Sequence, residues 1–256
     1  MTQNPTTYPA SRLRILNRDT LKYLAIICLF VGHFLTFTAL ELRMFGLPPA
    51  IYTPLCYPQF IAPPIFFFFI AEGHFHTRSH KKYALRLLLT AIVTQFAFVL
   101  CDDGRFDLHH FLTEWNVMLT LFLGLVSLMI WDSKMKLPLR CLLILACGAA
   151  GFLLKAEWRI FGPLFILAFH LLRERPWLRL LAYEIITLAY AIVGGGGLTG
   201  LLTQFNLIAV MTAAIVLITF FYNGKKGRHP RFAQWFFYAF YPGHFLLIYA
   251  VKLLAA

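Results

Sequence analysis

The chain has 256 residues, 60% of them hydrophobic, only 13% charged, with a mean hydropathy of +0.71 and a formal net charge of +12. A soluble domain is about 45–50% apolar and about 25% charged. This composition excludes an ordinary soluble domain, and the loops are too short to hold a second one. A nucleic-acid reading of the positive charge fails as well, because the cations sit between apolar runs, where a membrane protein puts them.

Residues 1–17 read as a polar cytoplasmic tail, and 18–256 as a single transmembrane domain. No cleavable signal peptide is expected, since the first apolar run is too long and has no small-residue site after it. Nine apolar runs follow, at roughly 20–42, 58–77, 82–101, 112–131, 138–154, 160–173, 176–193, 201–222 and 232–254. Each is near the length that crosses a bilayer. The runs at 160–173 and 176–193 are short, so the count could be eight to ten. With the N-terminus inside, the inner segments hold Arg12, Arg14, Arg18, Lys22, Arg78, Lys81, Lys82, Arg86, Lys134, Lys136, Arg140, Arg173, Arg175, Arg179, Lys225, Lys226, Arg228 and Arg231. The outer ones hold only Arg43, Arg105, Lys155, Arg159 and Lys252. That bias predicts an all-α bundle of about nine spans, N-terminus in and C-terminus out. Cys56 and Cys101 both fall on the outer side, where a disulfide could join them in an oxidising compartment.

The first run, RDTLKYLAIICLFVGH from Arg18 to His33, carries the first candidate site. Lys22 and His33 are eleven residues apart, which closes almost three helical turns and puts both on one face, roughly 16 Å apart along the axis. Arg18, four residues before Lys22, shares that face. The pattern predicts a cationic rim at the membrane surface with an imidazole deep below it. The alternative is a structural histidine and a snorkelling lysine. The second run ends in Glu72, His74, His76 and His80, with Glu72/His76 and His76/His80 expected as i,i+4 pairs. Arg78, Lys81 and Lys82 oppose a cation there, so no metal is expected, and Glu72 is assigned to a substrate wall.

Asn116 begins the fourth run and is either an interfacial anchor or a contact to an acceptor. Glu157 and Arg159 flank Trp158 at the outer face and read either as interfacial anchors with a surface ion pair or as contacts to an acceptor reaching in from outside. Glu184 lies mid-span in the seventh run, where a carboxylate is functional by default. His170, near the inner end of the sixth, reads as structural. The eighth run ends in YNGKKGRHPR: Asn223, Lys225, Lys226 and Arg228 form either a lipid-binding loop or a cradle for phosphates. The last run places Tyr238, Tyr241 and His244 around Pro242, with His244 again near mid-membrane.

These stretches together carry a resemblance. The segments RDTLKYLAIICLFVGH, PIFFFFIAEGHFHTRSHKKYALRLLLTAIVTQ, WNVMLTLFLG, YNGKKG and FYAFYPGHFLLIY, in this order, resemble the TraX family, membrane proteins of conjugative plasmids that acetylate the N-terminus of pilin. The Lys-x10-His spacing is similar to a signature of the membrane acyltransferase superfamily. Many TraX members have Asp just before the first histidine, whereas this chain has Gly32; Glu184 or Glu72 is the expected substitute. The resemblance implies cytosolic acetyl-CoA as co-substrate, mature pilin as acceptor and the bacterial inner membrane as location. On it, His33 is the main catalytic group, as base or acetyl carrier, with His244 and Glu184 in support. Arg18, Lys22, Arg78, Asn223, Lys225, Lys226 and Arg228 hold the donor, and Glu72, Asn116 and Tyr241 line the substrate side. A non-catalytic pilus-assembly scaffold, a small transporter, and an acyltransferase with a glycan or lipid acceptor are the competing readings.

Overall fold

The computed structural model describes residues 13–38 and 48–255. Most of the 1–17 tail and the outer-side Arg43 therefore lie outside the described residues. Among the described residues twelve α-helices are arranged as α1 (Arg18–Thr38), α2 (Pro49–Cys56), α3 (Ala62–His76), α4 (His80–Asp103), α5 (Leu108–Thr113), α6 (Val117–Trp131), α7 (Leu137–Leu153), α8 (Phe161–Leu171), α9 (Pro176–Gly194), α10 (Gly200–Thr203), α11 (Phe205–Val216) and α12 (Pro230–Ala255). No β-strand occurs among the described residues, so the all-helical reading stands.

Six helical stretches are long and apolar enough to cross a membrane: 18–38, 54–76, 80–103, 108–131, 176–194 and 232–255. The chain is a multi-pass membrane protein. Three of the nine expected runs fold into shorter apolar helices, over 137–153, 161–171 and 205–221. The run at 176–193, expected to be short, is among the six.

Local chemistry sets the helix ends. Ser79, Asp107 and Asn116 each accept a backbone N–H from the first turn of α4, α5 and α6, satisfying donors a helix start leaves open. Gly104 ends α4 at φ +70°, a left-handed residue that glycine adopts without penalty. The break between His76 and His80 has a consequence: α3 stops at His76 and α4 starts at His80, so those two histidines are not an i,i+4 pair on one helix.

Helix α3 is the hub. It is apolar all round, as a helix enclosed by others must be, and Ile65, Phe67, Phe68, Phe69 and Ile70 are buried. It packs on α1, α6, α8 and α11, while α12 lies along α4. Helices α7 and α9 are peripheral, showing outward leucines such as Leu142, Leu145, Leu181 and Leu188 that suit lipid contact. Cys56 closes α2 and Cys101 is buried in α4. At the end of the bundle where α1 starts, residues 14–18 pair with the linker before α12. Leu16 donates to Phe221 and accepts from Asn223, both at 2.9 Å, and Arg18 donates to Lys225 O at 2.9 Å. Arg14 adds a bond to Tyr222 O at 2.7 Å. This clamp brings YNGKKG, far away in sequence, onto the first turn of α1.

Candidate functional site

A cavity of about 350 Å³ runs beside α3. Its α3 wall extends from Ala62 and Pro63 through Phe66, Phe69, Ile70 and Gly73 to His76. Fourteen helical steps at 1.5 Å each make that wall roughly 21 Å long. The two ends differ in chemistry. At the end where α1 begins, Arg18, Lys22, Arg86 and Lys226 line it, with Gly224, Gln234, Tyr83 and Tyr238. At the far end the wall is Leu29, Val117, Met118, Leu121, Tyr241 and Glu157.

The cationic rim is built by α1 and the clamped linker. Lys22 extends its ammonium between two aromatic faces, 5.1 Å from the Phe69 ring centre and 5.3 Å from that of Phe237. Arg18 is held by the buried Asp19 at 2.8 Å. Gly227 packs directly on Asp19, where a Cβ would collide with the carboxylate. The glycine is thus what lets Lys226 approach the rim. Of the expected donor ligands, Arg18, Lys22 and Lys226 meet here. Arg78, Lys225 and Arg228 are exposed and do not line the cavity. Asn223 instead accepts the Lys225 N–H at 2.9 Å and shapes the turn. Arg86, counted in the sequence only as an inner charge, takes the place expected of Arg78.

Glu72 lines the cavity near this rim, tied to His76 at 3.6 Å and Arg173 at 3.9 Å. Next to it, His74 and His170 both meet Asp132, at 2.8 and 3.1 Å. Their ligand atoms lie within 4.8 Å of one another. A metal-bound histidine donates its other ring N–H to a partner, and neither Nδ1 has one. The cluster reads as a hydrogen-bonded tie between α3, α8 and the end of α6.

His33 and His244 are brought together: His33 Nδ1 lies 3.0 Å from His244 Nε2, both rings buried. The tautomers follow from the chain of bonds. His244 Nδ1 faces the Phe240 carbonyl at 3.2 Å, which can only accept. With both rings neutral, His244 Nε2 accepts from His33 Nδ1–H, and His33 Nε2 keeps its lone pair. The pair does not line the cavity. It sits one turn beyond Leu29 and Tyr241, wrapped by Phe37 and Phe245. The partner of His33 is therefore His244, and neither Glu184 nor Glu72 substitutes for an acid at position 32. Glu184 accepts a bond from Thr212 at 3.1 Å and links α9 to α11. An acid cannot fit at Gly32, because a Cβ there would come 2.5 Å from the Gln59 Cβ and 2.9 Å from the Cys56 carbonyl.

Asn116, expected as a substrate contact, is buried and fully engaged. It donates to Ala91 O at 3.0 Å and Gln95 Oε1 at 2.8 Å and accepts from Met118 N at 2.9 Å. Tyr241 does reach the cavity, and its buried hydroxyl has no hydrogen-bond partner among the described residues. Leaving such a group unsatisfied costs about 1–3 kcal/mol.

Of the two readings of Glu157, the surface ion pair is the one the structure overturns. Glu157 forms no surface pair with Arg159, whose guanidinium lies over the Phe152 ring at 5.6 Å. Glu157 has open surface and lines the cavity. Three neighbours hold it there in left-handed backbone: Lys155 at φ +43°, Trp158 at +67° and Arg159 at +41°. For bulky non-glycine residues this is strained geometry, of the kind that surrounding structure must enforce. Backbone bonds from Glu157 N to Trp115 O at 2.9 Å, and from the Thr120 hydroxyl to Glu157 O, lock it. Burial pushes the carboxyl up to about 7, against the opposing pull of the Val117 N–H and the Trp158 side chain. A lone acid beside a tryptophan in a loop has no periodicity, so the sequence could not choose between the surface pair and the acceptor contact.

Fold and site together define a polytopic helical membrane protein with an internal cavity polarised between a cationic rim and a carboxylate. The family model described as TraX protein matches residues 17–252, and the chain belongs to that family. A "Probable fimbrial assembly protein FimC, serogroup H1" of Dichelobacter nodosus is 34% identical over 207 residues, covering 74% of this chain and 79% of that protein. No solved structure matches.

Proposed function

We propose that this protein is an inner-membrane acetyltransferase that moves acetyl from cytosolic acetyl-CoA to the N-terminal amine of a pilin subunit. The observation that carries the reading is the polarised cavity. Phosphates of a donor suit the rim of Arg18, Lys22, Arg86 and Lys226, since cations pair with phosphate oxygens in charge-assisted bonds. A wall roughly 21 Å long accommodates an extended pantetheine arm reaching the far end. The charge bias favours the rim on the cytosolic side, with the N-terminus in, and a multi-pass bundle is surrounded by membrane lipids. Family membership and the fimbrial assembly name of the relative favour pilin as the partner.

In this reading His33 Nε2, with its lone pair fixed through His244 and Phe240, serves the transfer step as base or acetyl carrier. The assembly name also suits a non-catalytic scaffold, but a scaffold leaves the enclosed cavity without a use. Mass spectrometry of pilin made with and without this protein tests the reading. The N-terminal acetyl group, a gain of about 42 Da for the atoms added, is expected only with it, and is expected to vanish with His33→Ala while the variant still inserts. Acetylated pilin in the absence of the protein refutes the reading.

A further inference from the structure

The far end of the cavity holds a hydroxyl without a hydrogen bond and a carboxylate without a cationic partner among the described residues. Tyr241 presents a buried hydroxyl without a hydrogen bond. Glu157 presents its carboxylate to the cavity, with hydrogen bonds from the Val117 N–H and the Trp158 side chain but no lysine, arginine or histidine beside it among the described residues. Tyr241 faces it from α12 and Tyr190 from α9. Helices α3 and α6 contribute only apolar side chains here, Ala62, Pro63, Phe66, Val117, Met118 and Leu121. Arg159 turns away onto Phe152. A cavity carboxylate without a counter-ion suits a cationic ligand in a charge-assisted bond, and an orphan buried hydroxyl calls for an acceptor oxygen.

We infer that Glu157 binds the acceptor's ammonium group and takes its proton, that Tyr241 donates to the carbonyl oxygen under attack, and that the site therefore selects a primary amine over a sugar or lipid hydroxyl. The inference rests on the acetyl-transfer reading and adds the groups that hold and activate its amine acceptor. A hydroxyl acceptor would leave the carboxylate uncompensated. A peptide α-amine titrates at about 7.7–8.0, close to the value of about 7 that burial gives Glu157. Proton transfer between the two is then nearly balanced, the condition for an efficient base.

The step closes in atoms and charge. The ammonium gives one proton to Glu157 and attacks the thioester carbon as a neutral amine. The N–C bond forms, and negative charge grows on the carbonyl oxygen facing Tyr241. The C–S bond then breaks, and His33 Nε2, one turn beyond this end of the cavity, takes the nitrogen's second proton and returns it to the sulfur, which leaves as free thiol. Glu157 releases its proton to water in the cavity.

The test uses the full chain in lipid nanodiscs with acetyl-CoA and two peptides of pilin N-terminal sequence. One has its native amine, and the other ends in a hydrazide, which is neutral at pH 7. In the wild type, kcat for the amine peptide rises with pH along a limb near 7. Glu157→Gln is expected to bind acetyl-CoA normally and to lose about 10²–10⁴ in kcat on the amine peptide. Its limb moves up toward the amine's own value, and the hydrazide peptide is acetylated within a few-fold of wild type. Tyr241→Phe is expected to slow both peptides alike. If Glu157→Gln does not insert, Glu157→Asp is read in the same way, with a loss on the amine peptide alone expected. Equal loss on both peptides, or no loss, overturns the inference and leaves acetyl transfer standing. A wild type that acetylates a sugar but not the amine peptide overturns it as well. A wild type that acetylates neither peptide nor sugar brings down both readings.

Discussion

Replacing Lys22 with Met removes one charge from the cationic rim and keeps the aliphatic stem. The ammonium lies between the Phe69 and Phe237 rings at 5.1 and 5.3 Å, and the lysine lines the cavity. Methionine fills the same volume against those rings, so the packing loss is small, under about 1.5 kcal/mol for a volume-conserving change. The lost cation–π contacts, about 0.5–1 kcal/mol each, are offset because no charge then has to be held away from bulk water. Donor binding changes more. A hydrogen bond to a charged group contributes about 1.5–3 kcal/mol. At 1.4 kcal/mol per decade that is about a 10- to 150-fold rise in Kd for acetyl-CoA. Titration calorimetry of the purified protein with coenzyme A, at two salt concentrations, measures it. The Kd should rise into that range, with a weaker salt dependence and an unchanged unfolding temperature. An unchanged Kd would show that the donor's phosphates do not use this rim.

Three further outcomes follow from particular contacts. Asn116→Ala removes a helix cap worth about 1 kcal/mol and two buried hydrogen bonds of about 1 kcal/mol each. Thermal unfolding in detergent should fall by about 5–10 °C; full stability with lost transfer would instead make Asn116 an acceptor contact. Gly227→Ala forces a Cβ against Asp19 and should displace the linker, raising the donor Kd while leaving the bundle's unfolding temperature in place. Equal donor affinity in that variant would mean that Lys226 needs no clamp. Gly32→Asp should fail to insert stably, because the side chain would run into Gln59 and the Cys56 carbonyl; normal yield and thermal stability would refute that fit.

The sequence determined what local periodicity can determine. Apolar runs named the helices, because backbone groups in a bilayer must be satisfied within a helix. The eleven-residue step put Lys22 and His33 on one face, and the basic linker at 225–228 declared itself by composition. The tertiary structure decided everything that depends on contacts between distant segments. His33 is bonded to a histidine 211 positions away, not to an acid. The rim takes Arg86 in place of Arg78, because α3 ends at His76 and leaves Arg78 in the break. Asn116 turned out to be a cap, since Gln95 and Ala91 on α4 lie against it. Glu157 faces inward because three consecutive constraints, left-handed residues at 155, 158 and 159, turn its loop under the bundle. A backbone held against its own preference leaves no pattern in the sequence, since the energy that enforces it comes from the surrounding packing.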